Sequence, residues 1–469
     1  MEKDQQRRKY FTTEPGTPVV IKLCYKLNTN RLSETGMTPI SFREATAVWW
    51  RIGLLSFGGP AGQIALMHRI LVEEKGWLDE ARFLHALNYC MLLPGPEAQQ
   101  LATYVGWLLH GVKGGVVAGV LFILPGAAAI LILSWLYVLL GDLTLVEGLF
   151  FGLKAAVLAI VTQALLRIAG RALQGPLKPV LAIAAFAALF AFNLPFPLVV
   201  ISAGLIGYLS ARLFPGSQNT TVELDLDVTV RPGTRSAALT CLLLWIGTLT
   251  VLHAVLGDES VFTQIGSFFS KMALITFGGA YAVLSYVAQQ GVEHYAWLQP
   301  GEMLDGLAMA ETTPGPLILV TQFVGFLAAL RDGLQPSLLA ATVGAMLTLW
   351  VTFLPCFLWI FAGAPYVEKL RGNRALSAAL AAITAAVVGV IANLALWFAL
   401  NALFAEHWRL TDFGLDLLTP RLASVNLPLL GLSMIAFVLV FVARMRMLPL
   451  LGTCAAMGIG WRLLTASAG

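Results

Sequence analysis

The sequence predicts an all-α polytopic membrane protein made of two homologous halves, arranged as inverted-topology repeats with broken or re-entrant helices. Three observations predict this. The first is composition: of 469 residues, 58% are hydrophobic and 12% charged, with a mean hydropathy of +0.78. Soluble domains carry about 25% charge, and half that amount cannot coat a water-facing surface of this size. A soluble enzyme, a nucleic-acid binder and a disordered scaffold are excluded. The second is a series of apolar runs of helical length, and the third is an internal repeat.

The first 44 residues hold Lys3, Arg7, Arg8, Lys9, Lys22, Lys26, Arg31 and Arg43 without an apolar core of signal-peptide length. No cleaved leader is expected, and this tail should stay in the cytoplasm. Thirteen apolar stretches follow, near 45–67, 83–110, 115–140, 148–166, 179–193, 197–211, 236–257, 262–290, 303–330, 334–362, 375–404, 426–443 and 447–463. Most approach the ~20 residues a helix needs to cross ~30 Å of hydrocarbon. The alternating ~10-residue pattern of a β-barrel is missing. The short pair 179–193 and 197–211, split by Asn193-Leu194-Pro195-Phe196-Pro197, reads as a tight helical hairpin. The polar interruption 212–235 reads as a cytoplasmic linker, which divides the chain into a tail (1–44), a first repeat (45–211), the linker and a second repeat (236–469).

Sliding the chain by 220 residues aligns Phe57-Gly58-Gly59 with Phe277-Gly278-Gly279, Trp77-Leu78 with Trp297-Leu298, and Pro94-Gly95-Pro96 with Pro314-Gly315-Pro316. Between 51–96 and 271–316, 13 of 46 positions are identical without a gap. Apolar bias yields chance matches, but not Gly, Pro and Trp in register. After a shift to 230, Leu124-Pro125 meets Leu354-Pro355 and Ala155-Ala156-Val157 meets Ala385-Ala386-Val387.

Orientation follows from the positive-inside rule. Basic flanks (the tail, Arg167/Arg171/Lys178, Arg212–Arg235, Glu368–Arg374, Arg444/Arg446) are assigned to the cytoplasm, and the Lys/Arg-free turns 141–147, 194–196 and 257–261 to the outside. Five crossings then separate equivalent motifs, and an odd number inverts the second half. The loop 68–82 carries Arg69, Lys75 and Arg82 whereas its counterpart 291–302 carries no Lys or Arg. That contrast favours motif stretches that enter and leave on one side, as hairpins. Inverted repeats are a recurring build of secondary transporters, with the binding site at the repeat interface.

Gly-Gly and Pro-Gly-Pro cannot continue a regular helix, and broken backbone at membrane depth is tolerated only against protein or a wet cavity. The half-helix N-termini at such breaks present free N–H groups and a positive dipole end, which suits an anion. Gly58, Gly59, Pro94, Gly95 and Pro96, with Gly278, Gly279, Pro314, Gly315 and Pro316, are therefore candidate substrate-lining residues. Arg51 and Lys271 are equivalent basic residues inside apolar stretches, and Lys154 lies opposite Thr384. Each is a candidate cation for an anionic substrate or else a snorkelling side chain. Ser56 and Thr276 are paired hydroxyls and Gln163 and Asn393 paired amides, suited to hydrogen-bond an oxyanion or a neighbouring helix. Glu97 and Glu311 flank the two Pro-Gly-Pro sites and are candidate proton carriers. His85 and Asn88 lie on the approach to the first of these sites, where a lone histidine suits a structural role. No Walker A loop, HExxH or nucleophile elbow occurs, so no enzyme chemistry, cofactor or metal is expected. The five cysteines show no metal-ligand spacing.

Leu55-Ser56-Phe57-Gly58-Gly59-Pro60-Ala61-Gly62-Gln63 with Leu92-Leu93-Pro94-Gly95-Pro96-Glu97-Ala98, echoed by Thr276-Phe277-Gly278-Gly279 and Thr312-Thr313-Pro314-Gly315-Pro316, strongly resembles the chromate ion transporter (CHR) family, in its long two-domain form. The resemblance covers about residues 45–463. It implies a bacterial inner-membrane exporter that confers chromate resistance at the expense of the proton-motive force, with sulfate as a related anion. The partners it implies are chromate, protons and the lipid bilayer; a homo-oligomer is left open. The second half departs from the pattern, with Ala280 in place of Pro60 and Leu317 in place of Glu97, so the two sites should not be equivalent. The competing readings are a sulfate or other oxyanion permease and, from another class, a lipid-precursor flippase or a structural membrane subunit.

Overall fold

The computed structural model describes residues 40–213, 232–277, 280–333, 336–363, 374–410 and 417–467. Most of the tail, most of the linker, the pair Gly278–Gly279 and the basic segment 368–373 lie outside the described residues. The first half starts with α1 (Phe42–Leu55), capped by the Ser41 hydroxyl, which accepts from the Glu44 amide. The chain breaks at Ser56–Gly58 and resumes as α2 (Gly59–His68), which runs into a π-turn over Arg69–Glu74. Then come α3 (Glu80–Cys90), capped by Asp79, and α4 (Glu97–Leu140), which is broken at His110–Gly111 into two legs. Helices α5 (Thr144–Ala172), α6 (Leu177–Phe190) and α7 (Phe196–Leu213) complete this half.

Helix α8 (Thr234–Leu256) leads into a second copy of the same order: α9 (Val261–Ile275), α10 (Ala280–Gln289) with a π-turn over Gln290–His294, and α11 (Pro300–Thr312). A 3₁₀ turn (Leu317–Leu319) and α12 (Val320–Leu330) match the first leg of α4, and α13 (Leu338–Gly363) its second leg. Helices α14 (Arg374–Leu403), α15 (Leu427–Phe441) and α16 (Met447–Ser467) follow, with an antiparallel pair, β1 (His407–Leu410) and β2 (Leu417–Pro420), between α14 and α15. Seven described helices are long and apolar enough to cross a membrane. With their apolar outer faces they make this a multi-pass membrane protein.

Polar contacts fix the path of the broken segments. Lys75, just past the first π-turn, pairs with Glu44 at the start of α1 at 2.8 Å. His110, where the first leg of α4 ends, donates from Nε2 to the Ile40 carbonyl at 2.9 Å. Both segments therefore leave at the end where α1 began: they are re-entrant hairpins, as the charge contrast between the loops predicted. The second half repeats the arrangement. Arg331, at the end of α12, reaches the Trp297 carbonyl (2.7 Å) and Glu302 (2.8 Å) at the start of α11. The long second leg of α4 carries Trp135 to Thr342 near the start of α13. The two hairpin pairs thus open at opposite ends of the bundle, and the repeats are inverted.

The closing helices are exchanged between halves. Helices α6 and α7 pack on α14, while α15 and α16 pack on α5. Small residues permit the close approach: Gly458 lies against Gly148 and Gly152, and Gly389 against the Ala182 carbonyl. One apolar core accordingly runs through both halves, from Ile130 and Val157 to Phe268, Phe323 and Ile391.

Candidate functional site

Both Pro-Gly-Pro breaks reach across the pseudo-twofold axis. The Gly95 N–H donates to the Thr276 carbonyl at 2.7 Å, and the Gly315 N–H donates to the Ser56 carbonyl at 2.8 Å. The two bonds are related by the 220-residue offset, so each break of one half is tied to the glycine-rich break of the other. Proline cannot donate, so the intervening glycine carries the only N–H in each motif; at φ 123° and 97° it occupies backbone space that favours glycine.

Around this double tie, the first residues of four helical segments converge. A small void is lined by Pro60 of α2, Glu97 and Ala98 of α4, Ala280 of α10, and Leu317 and Ile318 of the 3₁₀ turn, together with Gln63. Helix N-termini carry about half a positive charge each. Four of them facing one point approximate the compensation a dianion requires. The void measures ≈ 10 Å³, about room for one water, so the described conformation is closed around the site.

Side chains lock this closure. Gln63 donates to the Gly315 carbonyl at 2.6 Å, and Gln100 donates to the Pro94 carbonyl at 2.7 Å. From the other side, Gln322 donates to the Ala127 carbonyl at 3.1 Å. In all three, Nε2 holds backbone while Oε1 is buried without a partner among the described residues. Behind the second break, Gly126 touches the Pro314 carbonyl so closely that a Cβ there would overlap it; behind the first, Cys356, equivalent to Gly126 at the 230 offset, lies against Gly95.

The predicted residues separate into distinct groups. Ser56 and Thr276 are buried at the breaks, but each donates its hydroxyl to the carbonyl four residues back, Ile52 and Met272, at 2.6 Å. Gly58 and Gly59 have open space where a side chain would go; what selects glycine there is φ of 90° and 69°. Gly278 and Gly279 lie outside the described residues. Arg51 pairs with Glu74 at 3.1 Å with half its side chain exposed, and Lys271 is exposed on α9, so neither lines the void. Glu97 lines the void, while Glu311 is buried with the Tyr281 hydroxyl donating to it at 2.5 Å. Lys154 meets Asp305 at 3.2 Å. Sequence reasoning did not single out Gln63, Gly126 or Asp305. Asp305 could have been found, being a carboxylate inside an apolar stretch like the lysine it meets.

The chromate transporter family model matches residues 43–208 and 263–461, one copy over each half. The chain belongs to the chromate transporter family. It is 30% identical over 354 residues to a chromate transport protein of Cupriavidus metallidurans, covering 75% of this chain and 81% of that one. A chromate transport protein of Pseudomonas aeruginosa is 32% identical over 365 residues, covering 77% and 82%. An uncharacterised transporter of Methanocaldococcus jannaschii is 25% identical over 351 residues, covering 75% and 82%. No solved structure matches the chain.

Proposed function

We propose that this family member transports chromate, exporting it across the bacterial inner membrane by alternating access driven by the proton-motive force. It acts as a transporter rather than an enzyme, with its N-terminal tail in the cytoplasm. The observation that carries the reading is the convergence of four helix starts on one void at the repeat interface. A tetrahedral oxyanion entering there would accept from free N–H groups of the first turns and face four positive dipole ends. Because the void is now too small for it, entry requires the two Pro-Gly-Pro ties to separate on one side or the other. Inverted repeats supply two such openings of nearly equal energy.

Glu97 gives this site a proton link. Its carboxyl lines the void, in the first turn of α4, where an anion is favoured. An ionised Glu97 and a bound dianion repel each other, so the dianion enters together with a proton on Glu97, and the resulting complex of one net negative charge is driven outward by the membrane-potential component of the proton-motive force. Glu311, held by Tyr281, is the second proposed proton carrier.

The test is flux of radiolabelled chromate and, separately, radiolabelled sulfate in inverted membrane vesicles, with and without an uncoupler. Uncoupler-sensitive chromate accumulation supports the proposal. Accumulation of sulfate in preference to chromate supports the oxyanion-permease reading, and no accumulation of either refutes both.

A further inference from the structure

Away from the void, a buried charged cluster joins the two halves. Lys154 of α5 lies 3.2 Å from Asp305 Oδ2 of α11, and the Tyr137 hydroxyl on the second leg of α4 donates to the same oxygen at 3.0 Å. Asp305 Oδ1 is buried without a hydrogen-bond partner among the described residues. The side chain of Asp305 is 5% exposed and that of Lys154 is 24% exposed. The Lys154 side chain thus keeps some exposed surface while the carboxylate is enclosed. Nothing equivalent exists in the other half: by the repeat offsets the counterparts of Lys154 and Asp305 are Thr384 and His85.

Among the described residues, no cation other than Lys154 pairs with Asp305. Its own helix supplies Glu302, already engaged by Arg331 from the end of α12 at 2.5 Å and 2.8 Å. Helix α4 supplies Tyr137, and α14 carries no ionisable side chain between Ala375 and Leu403. If Lys154 turns to another anion, Asp305 is left as a buried lone charge, which is costly. It avoids that cost by binding a proton.

We propose that Lys154 is a second anion-binding station for the transported oxyanion, and that in the described state the Asp305 carboxylate occupies it as a resident competitor. The exchange balances: the Lys154–Asp305 ion pair plus a dianion and a proton gives the Lys154–dianion pair plus neutral Asp305. No covalent bond to the anion forms or breaks. Anion binding at this station is therefore coupled to uptake of one proton. The station lies at the end of the bundle where α11 begins, beside Gly301, whose added Cβ would come 3.2 Å from the Lys154 ammonium. The proposal rests on the oxyanion-transport reading.

The experiment measures sulfate and chromate binding to purified full-length protein between about pH 6 and pH 8, sulfate staying a dianion throughout. Wild type is compared with Asp305→Asn, Lys154→Met and the double variant Lys154→Met/Asp305→Asn, which leaves no unpaired charge to unfold the site. Removing the competitor should tighten binding by Asp305→Asn about threefold or more near pH 8 and flatten the pH dependence. A single linked proton changes affinity by at most about tenfold per pH unit. The double variant should bind about tenfold more weakly than Asp305→Asn. Equal affinity of those two variants, or weaker binding by Asp305→Asn than by wild type, overturns the proposal while leaving the central site intact. Absence of binding of either anion to wild type overturns this proposal and the transport reading together.

Discussion

Gly126 tests whether backbone contact between the halves sets the site. Replacing it with alanine adds one methyl group. Its Cβ would overlap the Pro314 carbonyl oxygen and stand 2.5 Å from Leu319 Cδ1. Ordinary carbon contacts lie at about 3.5–4.0 Å, so relief takes a displacement of roughly 1 Å. The Pro314–Gly315 backbone would then carry the Gly315 N–H away from the Ser56 carbonyl, now 2.8 Å distant, to beyond hydrogen-bonding range. Overpacking costs about 1–3 kcal/mol, and a buried donor and acceptor left apart cost a similar amount, so the closed arrangement loses roughly 2–6 kcal/mol. Even the lower figure reduces its population about thirtyfold. Gly58→Ala is the comparison: no atom lies within 4 Å of its added Cβ, so it meets only the left-handed strain of about 1–2 kcal/mol. The assay is chromate flux per unit of protein in vesicles, paired with the thermal unfolding midpoint in detergent. Gly126→Ala should lose most flux and Gly58→Ala less. Wild-type flux and midpoint in Gly126→Ala, with failure in Gly58→Ala, would refute the reasoning.

Three further outcomes are expected. Cysteines introduced in 68–82 and in 291–302 should react with an impermeant thiol reagent from opposite faces of the membrane; labelling from one face contradicts the inverted repeat. Arg51→Met and Lys271→Met should leave chromate affinity within about fivefold of wild type, since an exposed ion pair is worth ~0–1 kcal/mol and neither residue lines the void; a larger loss in titrations of purified protein would place a cation at the site after all. Gln63→Leu removes the donor to the Gly315 carbonyl and leaves that oxygen unsatisfied, at a cost of about 1–3 kcal/mol, so flux should fall at near-normal membrane abundance; unchanged flux would make Gln63 a bystander.

Much of the fold was legible because a bilayer imposes few rules and applies them strictly. Apolar runs must be helices, breaks must be sheltered, and loop charge sets orientation. Pro-Gly-Pro and the pair Gly58–Gly59 therefore marked breaks, and the contrast between Arg69, Lys75 and Arg82 and a counterpart loop without Lys or Arg marked the hairpins. What could not be read was which helix packs on which. The exchange of α6–α7 and α15–α16 between halves depends on small-residue contacts such as Gly458 with Gly148, and glycine is common throughout a sequence with 44 of them. The same limit hid Gly126, whose importance is a contact 188 positions away at Pro314. Arg51 and Lys271 show what offset alone gives: it places two residues alike, here both exposed, on α1 and α9.

Symmetry and its exceptions carry different parts of the proposed mechanism. Matched features, such as the Gly95–Thr276 and Gly315–Ser56 bonds, would be unchanged if the two halves exchanged conformations, so in the proposed alternating-access cycle they would favour neither opening. Unmatched features do not survive the exchange. Gln63 faces Val283 by offset, Glu97 faces Leu317, Lys154 faces Thr384 and Asp305 faces His85. Each sets chemically different side chains at equivalent positions, so its bonds favour one arrangement over the other. A ligand or proton can shift such an equilibrium only through a group that interacts differently with the two states. Glu97 and the Lys154–Asp305 pair meet that requirement and the matched ties do not. In the proposed mechanism the gradients would set the direction of net flux, while the unmatched groups would set which ion each opening of the protein binds or releases.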